Sequence, residues 1–326
     1  MRGSSLLSTL WLFSILGAVA LTGMSEVASP SERRAPERRS AFAASAHYVA
    51  LPDGTRGLVD ADGQVVPVAP YARIGSASVV ADALLLALVE PERIASLSAY
   101  GRKSADEAHH YGARPATVPL ADLEGLLEQK LDLLLVHDLG SEAQLARARE
   151  AGLRVFNLGE MRGLATLLPN IQAVSALLGV PERGERFAQK LARRMRGVAD
   201  ALPSAGRRRA IYASVFANKI YGGTSGTSYH DVLTHAGLID AAADAYHDWP
   251  AYDPEQLLAL DPELIVTQGG MGESLCRMHG LETLRACGDA RKGVVEMPEG
   301  LMENPGPSML DASEVLFERV YGSAAR

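Results

Sequence analysis

The side chains best suited to binding a metal chelate are concentrated in residues 100–111, which contain Tyr100, Arg102, His109, His110 and Tyr111. Tyrosine phenolate and histidine imidazole are ligands of ferric iron and haem, and a guanidinium group binds carboxylates such as propionates. Aromatic residues make up only 6% of the chain, so this concentration is unusual for the sequence. The pattern predicts a ligand-binding loop, and an ordinary solvated loop is the alternative.

A second polar segment, residues 218–228 (NKIYGGTSGTS), precedes a predicted helix that Thr227 or Ser228 would cap. The start of a helix offers free N–H groups and a partial positive charge, which favour anionic groups of a ligand. We therefore expect Tyr221 and Ser225 to contact a ligand, with a capped surface loop as the alternative. The glycine spacing does not fit a Walker loop, a dinucleotide fingerprint or a nucleophile elbow.

A third group of candidates lies nearer the C-terminus. Residues 246–252 (YHDWPAY) form an aromatic cluster in which Trp249 and Tyr252 are suited to stacking on a flat macrocycle or an aromatic siderophore. Packing at the edge of a lobe is the alternative. Asn304 lies in a Pro- and Gly-containing loop after the last predicted strand, and we expect it to close the floor of the same site.

The elements that must position these residues alternate between short apolar strands and amphipathic helices, which predicts parallel β-sheets. Ligands of such sheets bind beyond the carboxyl ends of the strands, where the candidate loops lie. Two Asp-Gly pairs, Asp53-Gly54 and Asp62-Gly63, predict a β-hairpin ahead of the first sheet.

Residues 123–138 and 254–269 repeat one pattern, an amphipathic helix followed by a buried strand. The residues that agree in register are Glu124 and Glu255, Leu126 and Leu257, Leu127 and Leu258, Asp132 and Glu263, and Leu133 and Leu264. The repeat predicts two similar α/β lobes, and the cleft between two lobes is a preferred place for a ligand. Chance similarity between two ordinary helix–strand units is the alternative.

One long amphipathic helix is predicted between the two copies. It begins near Pro181 and carries apolar residues at spacings of three and four, namely Phe187, Leu191, Met195, Val198 and Leu202. A helix of this length spans about 30 Å, which suits a rigid connector. We therefore predict two Rossmann-like lobes with mainly parallel sheets, comprising residues 47–168 with the leading hairpin and residues 206–326, joined by a connector region over residues 169–205.

The N-terminus has the features of an export signal. Residues 1–24 contain Arg2 and an apolar run from Leu10 to Leu21, which predicts a signal peptide, or a membrane anchor if it is not cleaved. Residues 25–46 are rich in Ser, Pro and charged residues and predict a flexible linker. Because export places the chain where disulfides persist, we expect Cys276 and Cys287 to be bonded, with free thiols as the alternative.

Composition and spacing argue against several functions. The 39 acidic residues outnumber the 32 basic ones, which disfavours binding to nucleic acid. No His-x-x-x-His pair with a nearby Glu and no nucleophile with an adjacent base is present, so we predict a binding protein without catalytic residues, catalytic cofactor or simple metal site.

The order of elements resembles the periplasmic solute-binding proteins of ABC importers that handle iron–siderophore complexes, haem and cobalamin. The segments that carry the resemblance are RIASLS, DLEGLLEQKLDLLLVHD, SYHDVLTHAGLIDAA, YDPEQLLALDPELIVTQ and RKGVVEMPE, within residues 73–321. The resemblance implies two lobes joined by one long helix, a periplasmic location, a monomer, a chelate or tetrapyrrole ligand and an inner-membrane permease as partner.

The chain departs from this family in its first helix, where the family often places a Glu that meets an Arg of the permease. Here Ala83 stands at that position, with Asp82 beside it. Three other functions stay open from the sequence: a zinc, manganese or iron receptor of the same fold, an exported chelatase-like enzyme, and a membrane-tethered sensor lobe if the N-terminal segment is not cleaved.

Overall fold

The structure is a computed structural model, and it describes residues 48–99, 111–112, 114–137, 142–200, 206–298 and 300–322. The predicted signal peptide and linker, and the candidate residues Tyr100, Arg102, His109 and His110, lie outside the described residues. Within them, no helix is both long enough and apolar enough to cross a membrane.

The N-terminal lobe is built on four parallel strands, β4 (Ile74–Ser76), β5 (Ile94–Ser96), β6 (Leu133–Val136) and β7 (Val155–Asn157), in the order β5-β4-β6-β7. Helices α1 (Val79–Leu88), α2 (Leu123–Glu128) and α3 (Glu142–Glu150) connect or follow these strands. The strands read as apolar runs because helices cover both faces of the sheet.

The predicted β-hairpin is a three-stranded antiparallel sheet of β1 (Tyr48–Ala50), β2 (Arg56–Val59) and β3 (Val65–Pro67). Its β2–β3 turn is anchored at the carboxyl end of β7. The buried Asp60 carboxylate accepts hydrogen bonds from Arg149 at 2.7 Å and from the Asn157 N–H at 3.2 Å. The Asn157 side chain also donates to Asp62 at 3.0 Å, so the leading sheet is fixed to the lobe.

Two helices link the lobes, α4 (Leu164–Leu177) and α5 (Pro181–Asp200), and α5 is the predicted connector. Arg183, near the start of α5, donates to the Leu88 carbonyl at 3.1 Å and pairs with Glu90 of the N-terminal lobe. Arg194, three turns further along, binds both oxygens of Glu314 at 3.0 Å in the C-terminal lobe. The helix is therefore attached to both lobes by charged hydrogen bonds.

The C-terminal lobe contains a six-stranded sheet. Its strands are β8 (Arg209–Phe216), β9 (Lys219–Gly223), β10 (Ile239–Asp240), β11 (Ala251–Tyr252), β12 (Leu264–Gln268) and β13 (Val294–Met297), in the order β11-β9-β8-β12-β13 with β10 beside β8. The helices are α6 (Ser228–His235), α7 (Pro254–Leu260), α8 (Gly272–Cys276), α9 (Arg285–Gly288), α10 (Ala290–Gly293) and α11 (Met309–Tyr321). Strands β8, β10, β12 and β13 are parallel.

The prediction of a loop throughout residues 218–228 is wrong for its first half. Strand β9 pairs antiparallel with β8, and residues Ala217 and Asn218 form a two-residue turn in which both have positive φ, at 47° and 60°. Such turns match the twist of the strands that they join. The glycine content of the segment hid this strand, because glycine is unusual inside strands.

Gly222 and Gly223 stand in β9 because two tyrosine rings occupy the space beside them. A Cβ on Gly222 would overlap the ring of Tyr252, and a Cβ on Gly223 would overlap the ring of Tyr229. Successive residues of a strand face opposite sides of a sheet, so one tyrosine packs on each side. The Gly-Gly pair thus sets where both rings lie.

The internal repeat is confirmed, because its two copies have the same environments. Leu126 and Leu257 are fully buried, whereas the neighbouring Leu127 and Leu258 are exposed by 40% and 38%. Helix α2 is capped by Asp122 and helix α7 by Asp253, each carboxylate accepting from the N–H three residues later. The Asp132 carboxylate accepts a hydrogen bond from the backbone N–H of Arg73, just before β4. The Glu263 carboxylate likewise accepts one from the backbone N–H of Arg209, the first residue of β8.

The largest apolar core is shared by the two lobes. It contains Leu84 and Leu88 of α1, Leu191 of α5, and Leu316 and Phe317 of α11, together with the inner faces of both sheets. A separate cluster covers the outer face of each sheet. The predicted disulfide between Cys276 and Cys287 is present, with a Cα–Cα distance of 5.4 Å, and joins α8 to α9 in the outer cluster of the C-terminal lobe.

A buried polar network fixes the segment between β9 and α6. The Thr224 hydroxyl donates to Asp240 Oδ2 at 2.7 Å, and His230 Nδ1 lies 2.8 Å from the same oxygen. This hydrogen bond to Asp240 is the main cause that raises the pKa of His230 above its ordinary value, with burial acting in the opposite direction.

We predict that Gly223→Ala destabilises the protein by about 1–3 kcal/mol, because the added methyl group must displace the Tyr229 ring. The matched control is Gly197→Ala in helix α5, where a Cβ would meet nothing within 4 Å. That change should stabilise by about 0.5–1 kcal/mol, since alanine favours helix more than glycine does. Urea unfolding of both variants measures the difference, and equal effects of the two changes would contradict the packing assigned to Gly223.

We also predict a pH dependence from His230. Since its folded-state pKa is raised, protonated His230 contributes stability that is fully present below its ordinary pKa of 6.5 and is lost as the pH rises through the folded-state pKa. The stability difference between wild type and His230→Gln, from urea unfolding, should therefore be larger at about pH 5.5 than at about pH 8.5. His279→Gln, at a fully exposed site, is the control. A difference that does not change with pH would count against the ion pair.

Candidate ligand-binding site

The two lobes meet through the loops that follow the carboxyl ends of their strands. Gly306, after β13, lies against Val80 at the start of α1. The Leu164 N–H at the start of α4 donates to Asp231 Oδ2 of α6 at 2.7 Å. Burial raises the pKa of Asp231, and the hydrogen bond from Leu164 acts in the opposite direction. These contacts form the junction between the lobes, and the ligand site that the repeat predicts there stays a prediction.

Asp82 of α1 holds the carboxyl end of β5. It is fully buried and accepts hydrogen bonds from the Ser98 N–H at 3.0 Å and the Ser98 hydroxyl at 2.5 Å, and also from Tyr111. Burial raises the pKa of Asp82 above its ordinary value, and these hydrogen bonds oppose the shift. The Asp82 carboxylate is therefore not exposed at the protein surface.

Tyr111 lies in the shared core and is only 3% exposed. Ser98 and Tyr111, two described residues on either side of the candidate stretch in the sequence, both bind Asp82. The structure gives Tyr111 a packing role, and its predicted contact with a ligand stays a prediction. The predicted ligand contacts of Tyr100, Arg102, His109 and His110, which the structure does not describe, also stay predictions.

In the C-terminal lobe, Tyr212 of β8 and Tyr229 of α6 stack with ring centroids 4.0 Å apart and also share a hydrogen bond. Burial is the first cause that raises the pKa of both phenols, and the nearby Glu303 carboxylate raises them further. Gln268, the last residue of β12, also hydrogen bonds Tyr212. This polar cluster lies under the loop that contains Asn304.

Sequence reasoning did not select Tyr212 or Tyr229. Tyr212 stands within an otherwise apolar strand, where a tyrosine is easily taken for a core residue. A hydroxyl group in such a strand needs a hydrogen-bond partner, and this requirement is the signal that could have identified the pair.

The other predicted residues of this lobe lie in different environments. Tyr221 is half-buried on β9, opposite Ala251 of β11, and Ser225 accepts a hydrogen bond from the Asp248 N–H at 2.9 Å through its carbonyl. Asn304 is half-buried and its side chain accepts from the Gly306 N–H at 2.9 Å. Tyr221, Ser225 and Asn304 thus remain accessible in part.

Trp249 and Tyr252 are separated by the sheet packing. Tyr252 is 6% exposed, lies in the outer core of the lobe and meets Tyr246 edge-on at a centroid distance of 5.3 Å. Burial raises its pKa. Trp249, by contrast, is 47% exposed. The Arg162 guanidinium lies over its indole ring, with Cζ 5.1 Å from the ring centroid. Of the two aromatic residues, the structure leaves Trp249 open to a partner and encloses Tyr252 in the core.

Arg162 is a residue of this site that the sequence reasoning missed. It lies between β7 and α4, donates from Nε to Glu160 at 2.7 Å and pairs through Nη1 with Asp248 of the other lobe. The hydrogen bond that Arg162 donates to Glu160 is the first cause that raises the pKa of Arg162. The loop at residues 158–163 also follows the carboxyl end of a strand, where ligands of parallel sheets bind. It contains no aromatic residue, so the aromatic content that marked the other candidate loops did not identify it.

The described residues contain no group of three or more His, Cys, Asp or Glu side chains that could hold a metal ion. A surface cavity of about 980 Å³ lies away from the lobe junction, along β13 between α8 and α11. Four cations line this cavity, and three of them, Arg208, Arg277 and Lys292, pair with Glu263, Glu273 and Asp289.

Known structures share this fold. A periplasmic haem-binding protein from Roseiflexus sp. RS-1, in apo form, aligns with a TM-score of 0.64 and 20% identity over 78% of this chain and 99% of its own. A periplasmic binding protein from Veillonella parvula aligns with a TM-score of 0.69 and 15% identity, over 85% and 97% of the two chains. The periplasmic vitamin B12-binding protein of Vibrio cholerae aligns with a TM-score of 0.58 and 21% identity, over 77% and 97%.

In sequence, the chain is 24% identical over 155 residues to the vitamin B12-binding protein of Salmonella choleraesuis, which is 47% of this chain and 58% of that relative. The chain thus spans little more than half the length of the curated relatives that it matches. The periplasmic binding protein family itself matches residues 81–314, from the first helix of the N-terminal lobe into the last helix of the C-terminal lobe. The chain therefore belongs to the periplasmic binding protein family.

Proposed function

We propose that this protein is the substrate-binding component of an ABC importer. It captures a metal chelate, namely haem, a ferric siderophore or cobalamin, in the cleft between its lobes and presents it to a permease in the inner membrane. The observation that carries the proposal is the family match across both lobes, on a fold shared with haem- and vitamin B12-binding proteins.

The lobe junction has side chains of the right chemistry. Trp249 offers an exposed indole ring for stacking on a macrocycle, and Tyr221 and Asn304 offer polar groups. Tyr100, Arg102, His109 and His110 stay predicted ligand contacts. Their phenol, imidazole and guanidinium groups suit a haem iron and its propionates, which favours haem among the three ligand classes.

The mechanism is binding without large closure. Helix α5 is bonded to both lobes through Arg183 and Arg194 and is packed into a core that the lobes share. Bending this arrangement would expose apolar surface, so we expect the ligand to enter a largely preformed cleft and the lobes to move little.

A binding role fits the polar chemistry of the described residues better than catalysis does. The one arrangement of hydroxyl, histidine and carboxylate with short contacts there is Thr224, His230 and Asp240. Thr224 and His230 both bond the same oxygen of Asp240, so the imidazole is not placed to take the proton of the hydroxyl. We expect a periplasmic monomer that carries out no reaction on its ligand.

Titration of the purified protein with haemin, cyanocobalamin and a ferric siderophore, followed by absorption spectroscopy, tests this function. We expect saturable one-to-one binding of one of them with a Kd of about 1 µM or tighter, which corresponds to about −8 kcal/mol. If haemin is the ligand, a shifted Soret band should accompany binding, because a protein side chain then ligates the iron.

Matched histidine variants make the test specific. His110→Ala should weaken binding by about tenfold or more if its imidazole contacts the metal. His279→Ala, which removes a fully exposed side chain between the two disulfide cysteines, should leave the affinity unchanged. Failure of all three chelates to bind would contradict the proposed ligand class. Heat released by zinc or manganese in that case would favour a metal-ion receptor of the same fold.

A further inference from the structure

We propose that Arg162 of the N-terminal lobe is a positioning residue that holds Trp249 of the C-terminal lobe as a stacking platform for a planar ligand. The inference rests on the proposed function for the identity of the ligand, and on the contacts between the lobes for the role of Arg162. We term the four residues that carry this inference the Arg162 latch: Arg162, Glu160, Asp248 and Trp249.

The guanidinium group of Arg162 is already occupied by protein carboxylates. It donates to Glu160 on its own loop and pairs with Asp248, which lies 86 residues further along the chain and in the other lobe. With both acids in place, Arg162 is not a free receptor for an anionic ligand group. Its remaining surface is the flat face of the guanidinium, and that face lies against Trp249.

Trp249 is covered by one cation and is otherwise partly exposed. Arg162 lies over its ring at 5.1 Å from the centroid, within the range of a cation–π contact. The residue is nevertheless 47% exposed, which is unusual for a tryptophan in a folded lobe. An indole ring that is supported on one face and open elsewhere presents a rigid flat surface, and a planar conjugated macrocycle is the ligand whose shape matches it.

The backbone beside Trp249 is held in a demanding conformation. Asp248 has a φ of 60°, in the left-handed region that side-chain-bearing residues enter rarely. Its N–H donates to the Ser225 carbonyl at 2.9 Å, and its carbonyl accepts from the Thr224 N–H at 3.0 Å. These hydrogen bonds hold the backbone of the residue whose carboxylate pairs with Arg162.

The latch also lies next to a second contact between the lobes. Leu164, two residues after Arg162, donates its N–H to Asp231, and Gly163 between them leaves no room for a side chain because Asp231 occupies the space. The loop that carries Arg162 is therefore fixed at both the latch and the helix start. This gives the arginine a stable base from which to support Trp249 across the junction.

Trp249 itself reports on the latch. The chain has two tryptophans, and the other is Trp11 in the predicted signal segment, so a Trp11→Phe background leaves one fluorophore. In this background, Arg162→Gln should increase acrylamide quenching of Trp249 by about twofold and shift its emission to longer wavelength, because the covered face becomes accessible. Arg162→Lys, which keeps the charge, should restore part of the protection. Arg183→Gln, which removes a contact of the connector helix, is the matched control and should leave the emission unchanged.

The same variants are titrated with haemin and cyanocobalamin. For the macrocycle that the Trp11→Phe protein binds, Arg162→Gln should weaken affinity by about 3- to 10-fold and Arg162→Lys by less, in step with the quenching. Unchanged fluorescence in Arg162→Gln would overturn the role of Arg162. Altered fluorescence with unchanged affinity would overturn the platform. A parent protein that binds neither macrocycle would instead refute the planar ligand of the proposed function, while the quenching measurement still decides whether Arg162 positions Trp249.

Discussion

The structure depends above all on the packing of the apolar face of one helix into a core that both lobes share. Helix α5 places Leu191 in this core, to which both sheets contribute, and the partly buried Phe187, Met195 and Val198 pack against it. A fully buried leucine contributes about 1.5–3 kcal/mol, and the shared core contains many such side chains from both lobes, so the lobes cannot separate without a large loss of stability. Arg183 and Arg194 then fix the two ends of the helix. The shared core therefore fixes how the two lobes are oriented to each other.

Around that core, buried polar contacts and close packing fix the residues that border the loops. Asp82 binds Ser98 and Tyr111, and Asp240 fixes the segment that leads into α6. The Gly222-Gly223 pair decides that Tyr229 packs on one side of the sheet and Tyr252 on the other. These positions are buried, so they give rigidity to the loops beside them.

Much of the fold could be predicted because it is encoded locally. The repeated helix–strand units, the connector beginning at Pro181 and the leading hairpin each follow from apolar spacing, capping residues or Asp-Gly turns within a short segment. The disulfide was predicted from two cysteines in a chain that its N-terminal sequence led us to expect is exported. Strand β9 could not be predicted in this way, because its two glycines are explained only by the rings of Tyr229 and Tyr252 packed against them.

The sequence by itself determined two α/β lobes, a long connector and the segments in which candidate ligand-binding residues are concentrated, because spacing and composition act over a few residues at a time. Only the tertiary structure decided which of those residues face the junction. It enclosed Tyr252 and Tyr111, left Trp249 open, and brought Arg162 to Asp248 across 86 residues of chain. The physical reason is that burial and charge pairing between distant segments depend on how whole elements pack, and no local pattern records that packing.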